Sequence, residues 1–281
     1  MILLLTAIFL LLLLLGMPIG LAMGVAGCAY FLFSGQDMFL TMLPDFIFNG
    51  LNSFVLMAIP FFLLAGEIMD RATISGRLVT FSNILVGRFP AGLAQVNIMA
   101  SMFFAGITGA ALGDVAALGK IFIPAMEKEG YDRPFAAAVT AASSLIGPII
   151  PPSIVIVVYC AATDLSVGGM FAAAIVPGLL MGLSQMIIVY MLAKKRHYPR
   201  HEVKITPREF AVSFKDASLA LLMPVIILGG IMSGVVTPTE AAACAVLYAL
   251  AVSFGVYKSL NVSQLPDIFF SAARGSAKLF F

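Results

Sequence analysis

Polar and charged positions in this chain are sparse and bunched, and between them run long stretches without any charge. The charge-free windows are 1–36, 46–66, 89–113, 134–163, 165–193, 217–239 and 241–257. A membrane-spanning helix needs roughly 20 mostly apolar residues. A barrel strand would alternate apolar with polar, whereas these windows are apolar throughout, so the pattern predicts helices. The expected fold class is therefore an all-α polytopic membrane protein. Residues 1–30 read as the first spanning helix and not as a signal peptide. The first Lys or Arg is Arg71, so no basic n-region precedes the apolar run, which is also too long for a signal.

Composition narrows the function classes. Of 281 residues, 61% are hydrophobic and 11% charged, with mean hydropathy +1.07. A soluble domain averages about a quarter charged residues, so a soluble enzyme, a nucleic-acid binder and a disordered tail are excluded. Cys28, Cys160 and Cys244 sit singly in apolar stretches and read as small hydrophobes, not as a disulfide or metal framework.

Basic residues then orient the spans. The loops around 70–88, 120–133, 194–215 and 258–278 hold 3, 3, 7 and 3 Lys and Arg, together all 16 in the chain. The opposite loops, 34–50, 161–169 and 234–240, hold none. The basic loops are placed in the cytoplasm, and the N-terminus with them. Arg88 and Lys120 then fall on one side with about 31 residues between them, too few for two crossings of roughly 20 residues each plus a turn. The stretch about 89–126 is expected to be a re-entrant helical hairpin. Its middle, Ala105-Gly-Ile-Thr-Gly-Ala-Ala-Leu-Gly-Asp114, has the small residues that close helix approach requires.

The next helix, about 134–163, carries Gly147-Pro-Ile-Ile-Pro-Pro-Ser153 near its middle. Each proline removes an N–H and disrupts the bond to the carbonyl four residues earlier, which frees the carbonyls of Ser144, Gly147 and Pro148. With the hydroxyls of Ser143, Ser144 and Ser153 these make an oxygen-rich patch. One reading is a Na⁺ site, since unwound carbonyls coordinate Na⁺ in secondary transporters. The other is a plain proline kink satisfied by neighbouring helices.

A shift of 222 residues aligns Leu43-Pro-Asp-Phe-Ile-Phe48 with Leu265-Pro-Asp-Ile-Phe-Phe270, together with the charge-free helices before them, 16–36 and 238–257. Opposite orientation of the two copies makes an inverted repeat. Residues 1–193 are the first repeat, 194–215 a basic cytoplasmic loop, 216–234 a connecting transmembrane helix and 235–281 the start of the second repeat. Roughly 150 further residues would complete that repeat, so the chain reads as a fragment or the product of a truncated gene.

Asp114 is the leading chemical candidate, because an ionisable group at membrane depth is costly; the alternative is a carboxylate capping a hairpin helix. Thr108 is expected to bond to its own helix, and Lys120 to snorkel. Glu67 and Asp70 read as a solvated edge near Arg71, Asp164 as solvent-facing and Glu240 as part of a helix cap after Thr237-Pro-Thr239. His197 and His201 lie in a hydrophilic basic loop and read as anchoring charge, with Pro199 between them arguing against a shared helical face for a metal. No hydrolytic motif is present, so no enzyme and no cofactor are expected.

Four segments carry a family resemblance: Ala58-Ile-Pro-Phe-Phe-Leu-Leu-Ala-Gly-Glu-Ile-Met69, Thr108-Gly-Ala-Ala-Leu-Gly-Asp114, Gly147-Pro-Ile-Ile-Pro-Pro-Ser153 and Thr237-Pro-Thr-Glu-Ala-Ala242. In this order they resemble the large membrane subunit of the tripartite ATP-independent periplasmic (TRAP) transporters, the DctM-like family of the ion transporter superfamily. The resemblance implies a bacterial inner-membrane protein that imports an organic acid, such as a C4-dicarboxylate or sialic acid, with Na⁺ as coupling ion and an elevator mechanism. It also implies a small four-helix membrane subunit and a periplasmic substrate-binding protein as partners. The family's Na⁺ lies between the first hairpin and the first broken helix. That falls here on Thr108, Gly109 and Asp114 and on Gly147, Pro148, Ile150 and Pro151, with Ser144 and Ser153 of the oxygen-rich patch beside them. The family usually has Ser-Gly-Ser where this chain has Thr108-Gly109-Ala110, one hydroxyl fewer. A non-transporting scaffold or inactive remnant is the alternative. A channel accounts neither for the repeat nor for the absence of charge rings.

Overall fold

The computed structural model describes residues 2–36, 38–72, 74–196, 198 and 206–280, apart from the side chain of Leu112. They are mainly helical, and no strand occurs among the described residues. His197, His201, Arg200 and Lys204 lie outside the described residues. The chain divides into two compact units, one made of residues 1–53 and 276–281, the other of residues 54–275.

The first unit contains α1 (Ile2–Leu14), α2 (Ile19–Phe33), the short α3 (Met38–Thr41) and α4 (Leu43–Leu51). The single spanning helix expected over 1–30 is corrected here to two helices. Gly16 takes a left-handed φ of 81°, and Pro18, with φ −55°, suits the start of α2 but cannot continue α1. Leu4, Leu5 and Ile8 meet Tyr30 and Phe33, so the two helices fold back on each other. At 13 and 15 residues each is about 20 Å long, shorter than a hydrocarbon core of roughly 30 Å. A cytoplasmic N-terminus therefore does not follow from the loop charges, because two helices fold back where one crossing is expected. Window 46–66 is also divided: α4 ends at Leu51, a turn follows, and the next helix begins at Ala58.

The second unit runs through α5 (Ala58–Arg71), α6 (Ile74–Val86), α7 (Gly92–Thr108), α8 (Ala111–Lys128), α9 (Arg133–Ser144), α10 (Ile154–Thr163), α11 (Val167–Arg196), α12 (Pro207–Met232) and α13 (Pro238–Ala251). A π-turn carries α13 on to Val256, and the chain then enters α14 (Leu265–Phe280). Among the described residues, three helices are long and apolar enough to cross a bilayer: α11 with 30 residues, α12 with 26, and α13 with its extension, 19. The basic segments expected as loops are largely helical, since α6, the end of α8, the start of α12 and α14 occupy them. Charge excludes a segment from hydrocarbon and not from a helix.

Central in this unit, α7 contacts α5, α6, α8, α9, α11 and α12. Its neighbours are joined to it by buried polar bonds as well as apolar packing. The Asn97 amide donates to Thr140 Oγ1 at 2.8 Å, and Ser101 Oγ donates to Ser143 Oγ at 2.9 Å. The Gln95 amide donates to the Met186 carbonyl on α11 at 2.9 Å, and the Gln185 amide to the Ala142 carbonyl on α9, also at 2.9 Å. These bonds tie α7, α9 and α11 together, those to Thr140 and Ser143 in fully buried surroundings. Helix ends are settled locally. Thr206 with Glu209 and Thr237 with Glu240 form capping boxes at the starts of α12 and α13, the second as the Thr-Pro-Thr-Glu spacing predicts. Thr239 Oγ1 reaches back to the Phe54 carbonyl at 2.7 Å, holding the start of α13 to the turn before α5.

Thr140→Val keeps the shape of the side chain but strands the buried Asn97 amide. It is expected to destabilise the purified protein by about 1–3 kcal/mol, read as a lower midpoint in a denaturant titration. Ser184→Ala, at an exposed position of α11, is expected to leave the midpoint within about 0.5 kcal/mol of wild type.

Candidate functional site

The hairpin of α7 and α8 turns at Gly109 and Ala110. Gly109 adopts φ 60°, ψ 15° and closes α7 by donating its N–H to the Ala105 carbonyl at 3.2 Å. A Cβ at this position would lie 2.5 Å from the Pro152 carbonyl oxygen, so backbone conformation and space both require glycine. Across from it, α9 stops at Ser144 and α10 starts at Ile154. The hairpin tip is lodged in that break, where the Ile154 N–H donates to the Gly109 carbonyl at 3.4 Å.

Two side chains flank the tip. Thr108, the last residue of α7, donates its hydroxyl to Asp114 Oδ1 at 2.6 Å, with the Phe104 carbonyl a second acceptor at 3.3 Å. Asp114 lies in the first turn of α8 and is completely buried. Ala110 supplies no side-chain cap to α8, and Asp114 stands in its first turn, where the helix dipole favours a carboxylate as the alternative reading has it. Its second oxygen, Oδ2, has no hydrogen-bond partner among the described residues. That oxygen faces Gly147 so closely that a Cβ there would stand 2.6 Å away. A buried polar atom without a partner is costly and marks a place for a ligand or a bound water.

The break supplies fewer open carbonyls than its prolines suggest. The Ser144 carbonyl accepts from the Gly147 N–H at 3.1 Å, because the chain past α9 tightens into short turns. The Pro148 carbonyl accepts from Ser153 Oγ, which also accepts from the Ile156 N–H at 3.3 Å and so caps α10. Ser143 and Ser144 turn their hydroxyls to the Thr140 carbonyl at 3.2 and 2.8 Å. Of the nine expected residues, Thr108, Asp114 and Gly147 gather around the carboxylate, while Gly109 seats against Pro152 and Ile154. Ser153 and Pro148 bond to each other, and Ser144 bonds within its own segment. Ile150 lies against Gly178 of α11, and the Pro151 carbonyl faces Gly106 of α7.

Two residues read as a solvated edge belong near this site. Glu67 and Asp70 line a small cavity of about 100 Å³ with Thr108, Ala110 and Gly113. Asp70 accepts a bond from Ser75 Oγ at 2.7 Å. The available signal was Gly66, where a Cβ would lie 3.6 Å from the Thr108 Cα: a small residue beside a glutamate in an apolar run marks a close helix approach. No cluster of three or more His, Cys, Asp or Glu able to hold a metal occurs among the described residues.

Residues 6–281 match the family model described as the tripartite ATP-independent periplasmic transporter, DctM component. The chain belongs to that family. It is 42% identical over 262 residues to the uncharacterized protein YgiK of Salmonella typhimurium, covering 92% of this chain and 60% of YgiK. It is 40% identical over 253 residues to the sialic acid TRAP transporter large permease protein SiaM of Vibrio cholerae, covering 90% of this chain and 59% of SiaM. The C4-dicarboxylate TRAP transporter large permease protein DctM of Pseudomonas aeruginosa is 39% identical over 260 residues, covering 92% of this chain and 60% of that protein. The chain thus spans about 60% of the length of these relatives. DctM-family relatives with named roles are permeases and not enzymes.

The space around the carboxylate can be tested directly. Gly147→Ala is expected to destabilise the purified protein by about 1–3 kcal/mol through overpacking. Gly113→Ala, where a Cβ meets nothing within 4 Å, is expected to stay within about 0.5 kcal/mol of wild type or to stabilise α8 slightly. Melting of both variants in the same detergent distinguishes them.

Proposed function

We propose that this chain contributes the first hairpin and first broken helix of a TRAP large permease, and that it takes part in Na⁺-driven uptake of an organic acid across the bacterial inner membrane. The observation that carries the reading is Asp114: a completely buried carboxylate with one oxygen held by Thr108 and the other unpartnered against Gly147. Hard cations take oxygen ligands, and unwound backbone beside a discontinuous helix is where secondary transporters hold coupling ions. The residues fit such an ion, with Asp114 and Thr108 as side-chain ligands and Gly109 and Gly147 as the backbone that leaves room for it. Ser144, Pro148, Ile150, Pro151 and Ser153 then shape the break around it.

The substrate class rests on the relatives, whose printed substrates are sialic acid, C4-dicarboxylates and 2,3-diketo-L-gulonate. A periplasmic binding protein delivers the acid, a small membrane subunit stands beside this chain, and the hairpin with its broken helix moves as the elevator. Support for a repeat comes from the two Leu-Pro-Asp helices, α4 and α14, each opening with that tripeptide shortly after an apolar helix, α2 in one case and α13 in the other. The hairpin is re-entrant in this reading, since its helices have 17 and 18 residues and basic residues stand at both of its outer ends.

Asp114→Asn is expected to abolish Na⁺-dependent uptake in the complete complex while membrane insertion stays normal; uptake still driven by a Na⁺ gradient in that variant overturns the assignment. Arg88→Cys and Lys128→Cys are expected to react with an impermeant maleimide from the cytoplasmic side only. Labelling from opposite sides excludes the re-entrant hairpin.

A further inference from the structure

We infer that a groove between α6 and α12 is a binding site for the headgroup of an anionic phospholipid. The two helices run antiparallel, with Arg77 paired to Asp216 at 3.8 Å at one end and Arg88 beside Thr206 and Pro207 at the other. One seam between them is closed by rings, Phe81 lying 6.2 and 5.9 Å from Phe210 and Phe214. Between the two helices lies a cavity of about 590 Å³, lined by Arg77, Arg208, Ile84 and Val212 and also by the carboxylates Glu209 and Asp216. A second cavity of about 230 Å³ shares Ile84 and adds Leu85 and Arg88.

The charges there are unequal in availability. Arg77 is engaged twice, by Asp216 and by the Tyr257 ring 4.1 Å below its guanidinium. Glu209 caps α12, its carboxylate accepting from the Thr206 N–H at 2.9 Å, and it keeps its negative charge in the cavity that Arg208 lines. Arg88 and Arg208 have no ion pair among the described residues. Two guanidiniums without an ion pair then line adjoining cavities, Arg208 the larger and Arg88 the smaller, with apolar Ile84 common to both. Arginine forks match phosphate oxygens, and basic pockets between membrane helices bind anionic headgroups.

Position selects lipid over a free anion. The groove lies along the first three turns of α12, directly before the charge-free stretch that starts at residue 217. Past the groove α12 continues with Leu222, Val225 and Ile226 exposed, a surface along which acyl chains can lie while the phosphate stays between the arginines. This inference rests on α12 spanning the membrane and is independent of the role assigned to Asp114.

Native mass spectrometry of the full chain released from nanodiscs tests it, with phosphatidylglycerol and phosphatidylcholine as the probes. Wild type is expected to retain phosphatidylglycerol and to lose phosphatidylcholine. Arg88→Ala and Arg208→Ala are each expected to weaken retention about fivefold, and the double variant about twentyfold or more. Lys194→Ala/Lys195→Ala, which removes equal charge outside the groove, is expected to retain the lipid as wild type does. Where the double variant is not recovered folded, the single variants and the Arg88→Lys/Arg208→Lys pair, expected to keep most of the retention, decide the matter. Retention of phosphatidylcholine equal to phosphatidylglycerol, unchanged retention in the arginine variants, or equal loss in the lysine control overturns the proposal. So does displacement by millimolar inorganic phosphate, which makes the groove a free-anion site. A dimer peak lost in the arginine variants while lipid stays bound makes it a contact between copies.

Discussion

Hydrocarbon offers a backbone amide no partner, so wherever a helix stops inside a membrane the surrounding protein must supply one. This chain stops two helices near each other and lets each stop serve the other. The Gly109 carbonyl at the end of α7 receives the Ile154 N–H at the start of α10, and Ser153 closes α10 while holding the Pro148 carbonyl. The pocket beside Asp114 is what remains when two interrupted helices satisfy each other almost completely. Its deficit is one carboxylate oxygen, Asp114 Oδ2, which has no hydrogen-bond partner among the described residues.

The polar seam of α7 gives that pocket its rigidity. Apolar contacts between membrane helices are little better than contacts with lipid tails, so side-chain hydrogen bonds and close packing carry more of the association. Asn97, Ser101, Thr140 and Ser143 supply the bonds between α7 and α9, and Gln95 and Gln185 extend them to α11. The carboxylate is thereby set among elements joined to one another by hydrogen bonds as well as by packing.

How far the fold could be read from the chain varied with the physics behind each signal. Proline and glycine in an apolar run are local and unambiguous, so the hairpin turn at Gly109, the interruption after Ser144 and the cap at Thr237 were legible. The Asp114–Thr108 pairing was half legible: both residues stood out, but not that one oxygen would go unmatched. Gly16 and Pro18 are equally local, yet the length of the window around them outweighed them and two helices were read as one. Charge was the least faithful guide to secondary structure, since α6 and α14 are helical despite their arginines and lysines. The inward demands of the break were hidden as well. Whether a proline-freed carbonyl stays open depends on donors several residues onward, such as the Gly147 N–H and the Ser153 hydroxyl, and spacing does not reveal their orientation.

The mutual lodging of tip and break also bears on how the molecule is made. Gly109 leaves the ribosome more than forty residues ahead of Ile154, so the tip has to wait, with its carbonyl unmatched, until α10 is threaded in behind it. A nascent chain halted between these two points would carry a hairpin tip that still lacks the Ile154 N–H. Biogenesis of this region is in that sense a two-part closure, sealed from its C-terminal side.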